Sequence, residues 1–177
     1  MAALVFPDTT VLCNFAVVRQ MGLLEGWLRG RGRWTSAVRF EVGRSRAYHP
    51  ALGDAVDGRW LGEVIELEGH EEAVERMRLG VFGGMPEEPL KHLGEAQTCY
   101  LIRHLSEFED SWWVTEDGDA YDFGVRSGMQ TLRTFEVMQH MVADGDLTAE
   151  AALALMRAME EAGRALLHVP QRPSSFR

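Results

Sequence analysis

Apolar and polar positions along the chain alternate between two periods. Two short apolar runs of strand type each end in acid: Ala2-Ala3-Leu4-Val5-Phe6-Pro7-Asp8 and Ser111-Trp112-Trp113-Val114-Thr115-Glu116-Asp117. Gly128-Met129-Gln130-Thr131-Leu132 predicts a third short strand, and the alternation of apolar and acidic residues from Glu63 to Glu68 an edge strand. Between these runs the apolar spacing is helical. Val11, Leu12, Phe15, Val18 and Met21 predict one helix, and Leu23, Leu24, Trp27 and Leu28 a second, closed by Gly30. Thr35-Ser36 caps a third, over Ala37, Val38, Phe40 and Val42. Further helices are expected over 70–79, from Leu93 to Leu105, over 118–126, over 135–141 and, strongest, from Ala149 to Leu166. Residues 45–62 and 80–89 read as irregular.

Strands alternating with helices favour an α/β fold, here a three-layer α/β/α arrangement with a short central parallel sheet. One domain over residues 1–169 accounts for the length, with 170–177 a loose tail. In a parallel sheet Asp8 and Asp117 arrive at the same edge, and such edges gather sites.

Composition changes this picture little. Apolar content of 46% and charged content of 25% suit a soluble protein. No apolar run approaches the roughly 20 residues of a membrane span. The first residues carry no basic leader, and two distant cysteines suit reduced thiols, so a cytoplasmic location is expected. Charge is more informative. The net −9 is unevenly spread: residues 1–50 hold seven arginines against Asp8, Glu25 and Glu41, a local +4. A polyanion responds to that local field more than to the total.

Four acids carry the candidate chemistry: Asp8, Glu41, Glu95 and Asp117. Each also has a plain structural use. Asp8 and Asp117 are good helix caps, Glu95 suits a first helical turn, and Glu41 is one turn from Arg44. As a set they offer more. Clustered carboxylates repel and hold protons unless a cation neutralises them. All-oxygen sites favour hard divalent ions, Mg²⁺ or Mn²⁺. Asp119, one step beyond Asp117, competes as a ligand, whereas Asp122 is read as facing solvent. Cys99, one turn past Glu95, has no histidine placed to activate it. The six histidines show no ligand spacing and read as surface residues.

In order and spacing, Asp8-Thr9-Thr10-Val11-Leu12, Phe40-Glu41-Val42, Gly94-Glu95-Ala96 and Thr115-Glu116-Asp117 resemble the acidic motifs of PIN domains. That family of metal-dependent nucleases includes the toxins of many toxin–antitoxin pairs. The likeness extends from residue 3 to about 167 and takes in the Gly-Asp-Leu-Thr turn at 145–148. It departs at Glu95, where many relatives have Asp, and at Arg133, where Gly is common.

The resemblance implies a metal-dependent ribonuclease with Asp8, Glu41, Glu95 and Asp117 catalytic. Metal would be held by Asp8, Glu95 and Asp117, with Asp119 as alternative or support. Glu41 would bind the same or a second ion through water, or orient the nucleophile. Thr9 and Thr115 would hold carboxylates or water. RNA would be gripped by the arginines of residues 29–46, Arg29, Arg31, Arg33 and Arg39 foremost, with Trp34 placed to stack on a base. An antitoxin and a second copy of the chain are the implied partners. Two rival expectations stand beside this one: a PIN-like RNA- or protein-binding module without turnover, and a phosphatase using Asp8 as nucleophile. The residue two after Asp8 is Thr10, where such phosphatases carry a second Asp.

Overall fold

In the computed structural model, which describes residues 3–176, three parallel strands of three residues each form the sheet, in the order β1-β2-β3. They are β1 (Val5–Pro7), β2 (Trp112–Val114) and β3 (Gln130–Leu132). Val5 pairs with Trp112 and Trp112 with Gln130, so all three strands end level.

Side chains alternate across the sheet, as the pleat requires. Val5 and Val114 point into one apolar cluster, Phe6 and Trp113 into another. The first cluster is completed by α1 (Thr9–Val17), α2 (Met21–Leu28), α8 (Thr134–Asp144) and α9 (Ala149–Glu161). The second draws on α5 (Glu71–Gly80), α6 (Leu93–His104) and α7 (Gly118–Arg126). Helices therefore cover both faces, which is why β1 and β2 are apolar throughout, whereas β3, at the sheet edge, is Gln-Thr-Leu with Gln130 exposed. The α/β expectation holds, and the layering is compatible with α/β/α. Among the described residues, no helix is long and apolar enough to cross a membrane.

Several elements differ from expectation. The Glu63–Glu68 strand reduces to one parallel bridge between Ile65 and Thr35. Leu67 instead turns into the second cluster, so the alternation reflects burial without a ladder. The region 45–62 is more regular than its composition suggests. It follows α3 (Ser36–Ser45) and holds a 3₁₀ turn (Pro50–Leu52) and α4 (Gly53–Gly58).

The last helix stops at Glu161, short of Leu166, because Gly163 takes φ +86 and turns the chain back. The tail expected to be loose folds onto α8 and α9. Phe176 is buried against Phe135, ring centroids 5.4 Å apart, and Gln139 donates to the Ser175 carbonyl.

Candidate active site

Strand ends deliver the first acids. Asp8 follows β1 and caps α1, its Oδ1 accepting from the Val11 N–H at 2.9 Å and from the Thr10 hydroxyl at 2.6 Å. Its Oδ2 accepts from the Thr115 hydroxyl at the end of β2. The same Thr115 oxygen accepts from the Asp117 N–H at 3.1 Å, and Asp117 caps α7 by accepting from Ala120 N–H at 2.8 Å. Thr115 thus links the Asp8 carboxylate to the Asp117 backbone through one hydroxyl.

Helix α6 supplies Glu95 in its first turn, and α3 supplies Glu41. Glu41 accepts from the Thr9 hydroxyl at 2.7 Å rather than pairing with Arg44. Glycine at position 94 lets this carboxylate approach α6. A Cβ there would meet Glu41 Oε1 at 3.0 Å and Val38 Cγ2 at 3.3 Å. The Gly-Glu-Ala motif is therefore a packing requirement as well as a source of acid.

The four acids feel one another. Burial raises the Asp8 pKa to about 6, with Glu41 adding repulsion against the lowering bonds from Thr10, Thr115 and Val11. Burial also raises Glu95 to about 7, with further repulsion from Asp8 and Asp117. Glu41 is raised by burial and by Glu95, although Thr9 and Gly94 bond it. Like-charged groups in a partly dry site have this behaviour when no cation is counted.

One donor atom from each of His92, Glu95 and Asp117 lies within 4.8 Å of the others, close enough for one ion to bridge. The donor set therefore fits a divalent cation. Two expected ligands lie outside this group: Asp8, which is buried with both oxygens hydrogen-bonded, and Asp119, which is exposed; Asp122 is exposed as well.

Comparison of the chain with family models, with curated proteins and with solved structures found no match.

Of the arginines expected to grip RNA, Arg29, Arg31, Arg33 and Arg39 are engaged elsewhere. Arg31 donates to the Leu28 and Trp27 carbonyls and lies over the rings of Trp27 and Trp112. Its own carbonyl accepts from Val5 N–H, at the start of β1. The acids follow the strands' other ends, about 10 Å away at roughly 3.3 Å per residue. Arg29 forms ion pairs with Asp144 and Asp146. Arg33 closes its own turn on the Gly30 and Gly32 carbonyls. Arg39 lies over Trp34, and Trp34 is itself buried, so it presents no face to a base. The structure does not bring these arginines to the acids. Exposed Arg44 lies on the rim beside Glu41 alone: the two line a cleft of about 670 Å³ against Phe40 and Leu90, and a second of about 500 Å³ with Thr9, Thr10 and Tyr48.

Three polar residues escaped the sequence reading. His92 stands three positions before Glu95, a spacing that puts both on one helical side and was the available signal. Buried Glu116 accepts from Thr134 N–H at 2.6 Å and Leu167 N–H at 2.7 Å. Buried Asn14 donates to the Thr134 hydroxyl and accepts from Arg164. Together these two tie α8 and the segment after α9 to the back of the site. Neither carries a sequence pattern, because their partners lie 18 to 150 positions away.

Cys99 is fully buried, and burial pushes its thiol up to about 12, which leaves it inert as a nucleophile. Asp8 is 6% exposed with both oxygens held, a poor position for attack on a phosphoryl group.

Proposed function

We propose that this chain is a divalent-metal-dependent nuclease of the PIN type that hydrolyses phosphodiester bonds in RNA. The observation that carries the reading is the meeting of Asp8, Glu41, Glu95 and Asp117, from four separate elements, at one sheet edge, where burial and mutual repulsion raise the first three. A fold that kept these acids only as caps would gain nothing by burying them together. The resemblance in motif order selects RNA as substrate, and the same resemblance suggests a toxin restrained by an antitoxin and a pairing of two copies.

Glu95, Asp117 and Asp8 would hold Mg²⁺ or Mn²⁺. The ion's contribution when bound is to neutralise the carboxylates, activate water and stabilise charge on the phosphate during in-line displacement. The protein's own parts are then distinct. Thr115 fixes Asp8, and the Val11 N–H holds the same carboxylate. Thr9 fixes one oxygen of Glu41. The other Glu41 oxygen is the acceptor for a proton from the attacking water. A carboxylate whose pKa is raised is the better base once ionised. Arg44, on the rim beside Glu41, is placed to hold a neighbouring phosphate.

Calorimetric titration of Mn²⁺ into wild type, Asp8→Asn and Asp117→Asn tests the reading. Binding near one equivalent in wild type, lost in both folded variants, is expected, followed by Mn²⁺-dependent cleavage of an RNA pool. Absence of binding in wild type, or equal binding in the variants, would overturn it.

A further inference from the structure

We propose that His92 is a nitrogen ligand of this site and makes it prefer Mn²⁺ to Mg²⁺. The inference rests on the metal-binding reading above and goes beyond it, because the motif acids predict oxygen donors alone. Three observations carry it.

The first is proximity. A ring nitrogen of His92 lies 3.5 Å from Glu95 Oε1, and His92, Glu95 and Asp117 offer donor atoms all within 4.8 Å of one another. Ligand bonds of about 2.1 Å place adjacent donors roughly 3.0 Å and opposite donors roughly 4.2 Å apart, so the three donors would close on an ion by side-chain adjustment.

The second is that the ring is not otherwise used. Among the described residues its nitrogens make no hydrogen bond, and the 3.5 Å approach to Glu95 is too long for a good one.

The third is that the segment bearing His92 is pinned from below. Arg78 is fully buried, is held by both oxygens of Glu75, and donates to the carbonyls of Met85, Glu88 and Lys91. The Lys91 carbonyl belongs to the peptide bond that joins Lys91 to His92. A guanidinium with its donors spent on one loop fixes where that loop ends. His92 itself takes φ +60, a conformation costly for a side-chain-bearing residue and maintained by its surroundings.

The chemistry follows from donor type. Imidazole binds first-row transition ions well, whereas Mg²⁺ is hard, favours oxygen and keeps much of its water. Losing the imidazole should therefore cost Mn²⁺ more than Mg²⁺.

The test compares wild type with His92→Ala and His92→Asp, using Mn²⁺ and Mg²⁺ separately in calorimetry and Mn²⁺ in pulsed electron paramagnetic resonance. Expected are ¹⁴N modulation of bound Mn²⁺ in wild type and its loss in both variants. Mn²⁺ affinity should fall at least about tenfold in His92→Ala while Mg²⁺ affinity changes much less. His92→Asp should move the preference towards Mg²⁺. If Mn²⁺ binds wild type and is lost on Asp8→Asn, yet shows no ¹⁴N modulation, or if His92→Ala weakens both ions equally, the inference fails and the metal site stands. If wild type binds neither ion, both fall together. The wild-type spectrum decides even if a variant misfolds.

Discussion

Asp8 shows how a single side chain can serve one state of a protein at the expense of another. Its carboxylate has three hydrogen bonds and almost no water, and burial outweighs the bonds, leaving its pKa near 6. Glu95 is shifted the same way, to about 7. Both folded values exceed the unfolded ones, so the folded chain binds more protons between about pH 4 and 7. Stability in the absence of metal must then fall as pH rises through that window, and the loss is complete only about one unit above the Glu95 value, near pH 8. For Asp8 alone the shift corresponds to about 3 kcal/mol. Asp8→Asn removes the buried charge and keeps an acceptor for Val11. The metal-free variant should be more stable than wild type at pH 8, by about 1–3 kcal/mol, and its stability should depend less on pH. Mn²⁺ should raise wild-type stability at pH 8 and leave the variant unchanged. Urea unfolding at pH 4.5, 6 and 8 checks this, and a wild type that gains stability with pH while Asp8→Asn loses it would contradict the electrostatics.

Elements are held around the site by groups that do not touch the reacting atoms, and Glu116 is the clearest. One oxygen accepts from the N–H at the start of α8, the other from Leu167 in the segment that Gly163 turns back. Glu116→Gln keeps the shape but replaces one acceptor with an NH₂ facing an N–H. One backbone donor is then left buried without a partner, at a cost of about 1–3 kcal/mol. A lower Tm and faster amide exchange at Thr134 or Leu167 are expected, with Mn²⁺ stoichiometry kept. An unchanged Tm would mean that water reaches this pair.

The same elements show which features were legible in the sequence. The three strands and the four motif acids were readable because they depend on local signals: an apolar run, a cap, a first turn. Thr9 and Thr115 followed, being neighbours of those acids. Glu116, Asn14 and the return of residues 164–167 depend on contacts made only once the chain has folded. The Arg-rich stretch misled for a related reason. Charge suggested a free basic surface, whereas residues 31–33 lie along β1, with Val5 donating to Arg31 and accepting from Arg33. The expected 63–68 strand failed because only Ile65 finds a partner there.

Across the whole molecule, the sheet gives the chain two chemically different ends. The acids collect where the strands finish, and Arg29 and Arg31 surround Trp27, Trp112, His140 and Asp144 where they begin. Net charge concealed this division, since the seven arginines of the first fifty residues do not form one surface. On the proposed reading, a phosphate chain drawn to the acidic edge would meet Arg44 first, on the rim that Glu41 shares, with exposed Tyr48 beside it. Arg44→Ala should therefore raise KM for RNA, leave kcat nearly intact and reduce the dependence of log KM on log salt by about 0.7, the loss of one single-strand phosphate contact. Arg31→Ala should behave oppositely. It removes a cap on the α2 carbonyls and a cation stacked on two indoles, so stability drops by about 1–2 kcal/mol while KM and its salt dependence stay as in wild type. Steady-state cleavage at several salt concentrations, with thermal unfolding of the same samples, separates the two. If Arg31→Ala weakens RNA binding as much as Arg44→Ala does, the substrate path crosses the opposite end of the sheet, and the placement of the phosphate grip beside Glu41 is wrong.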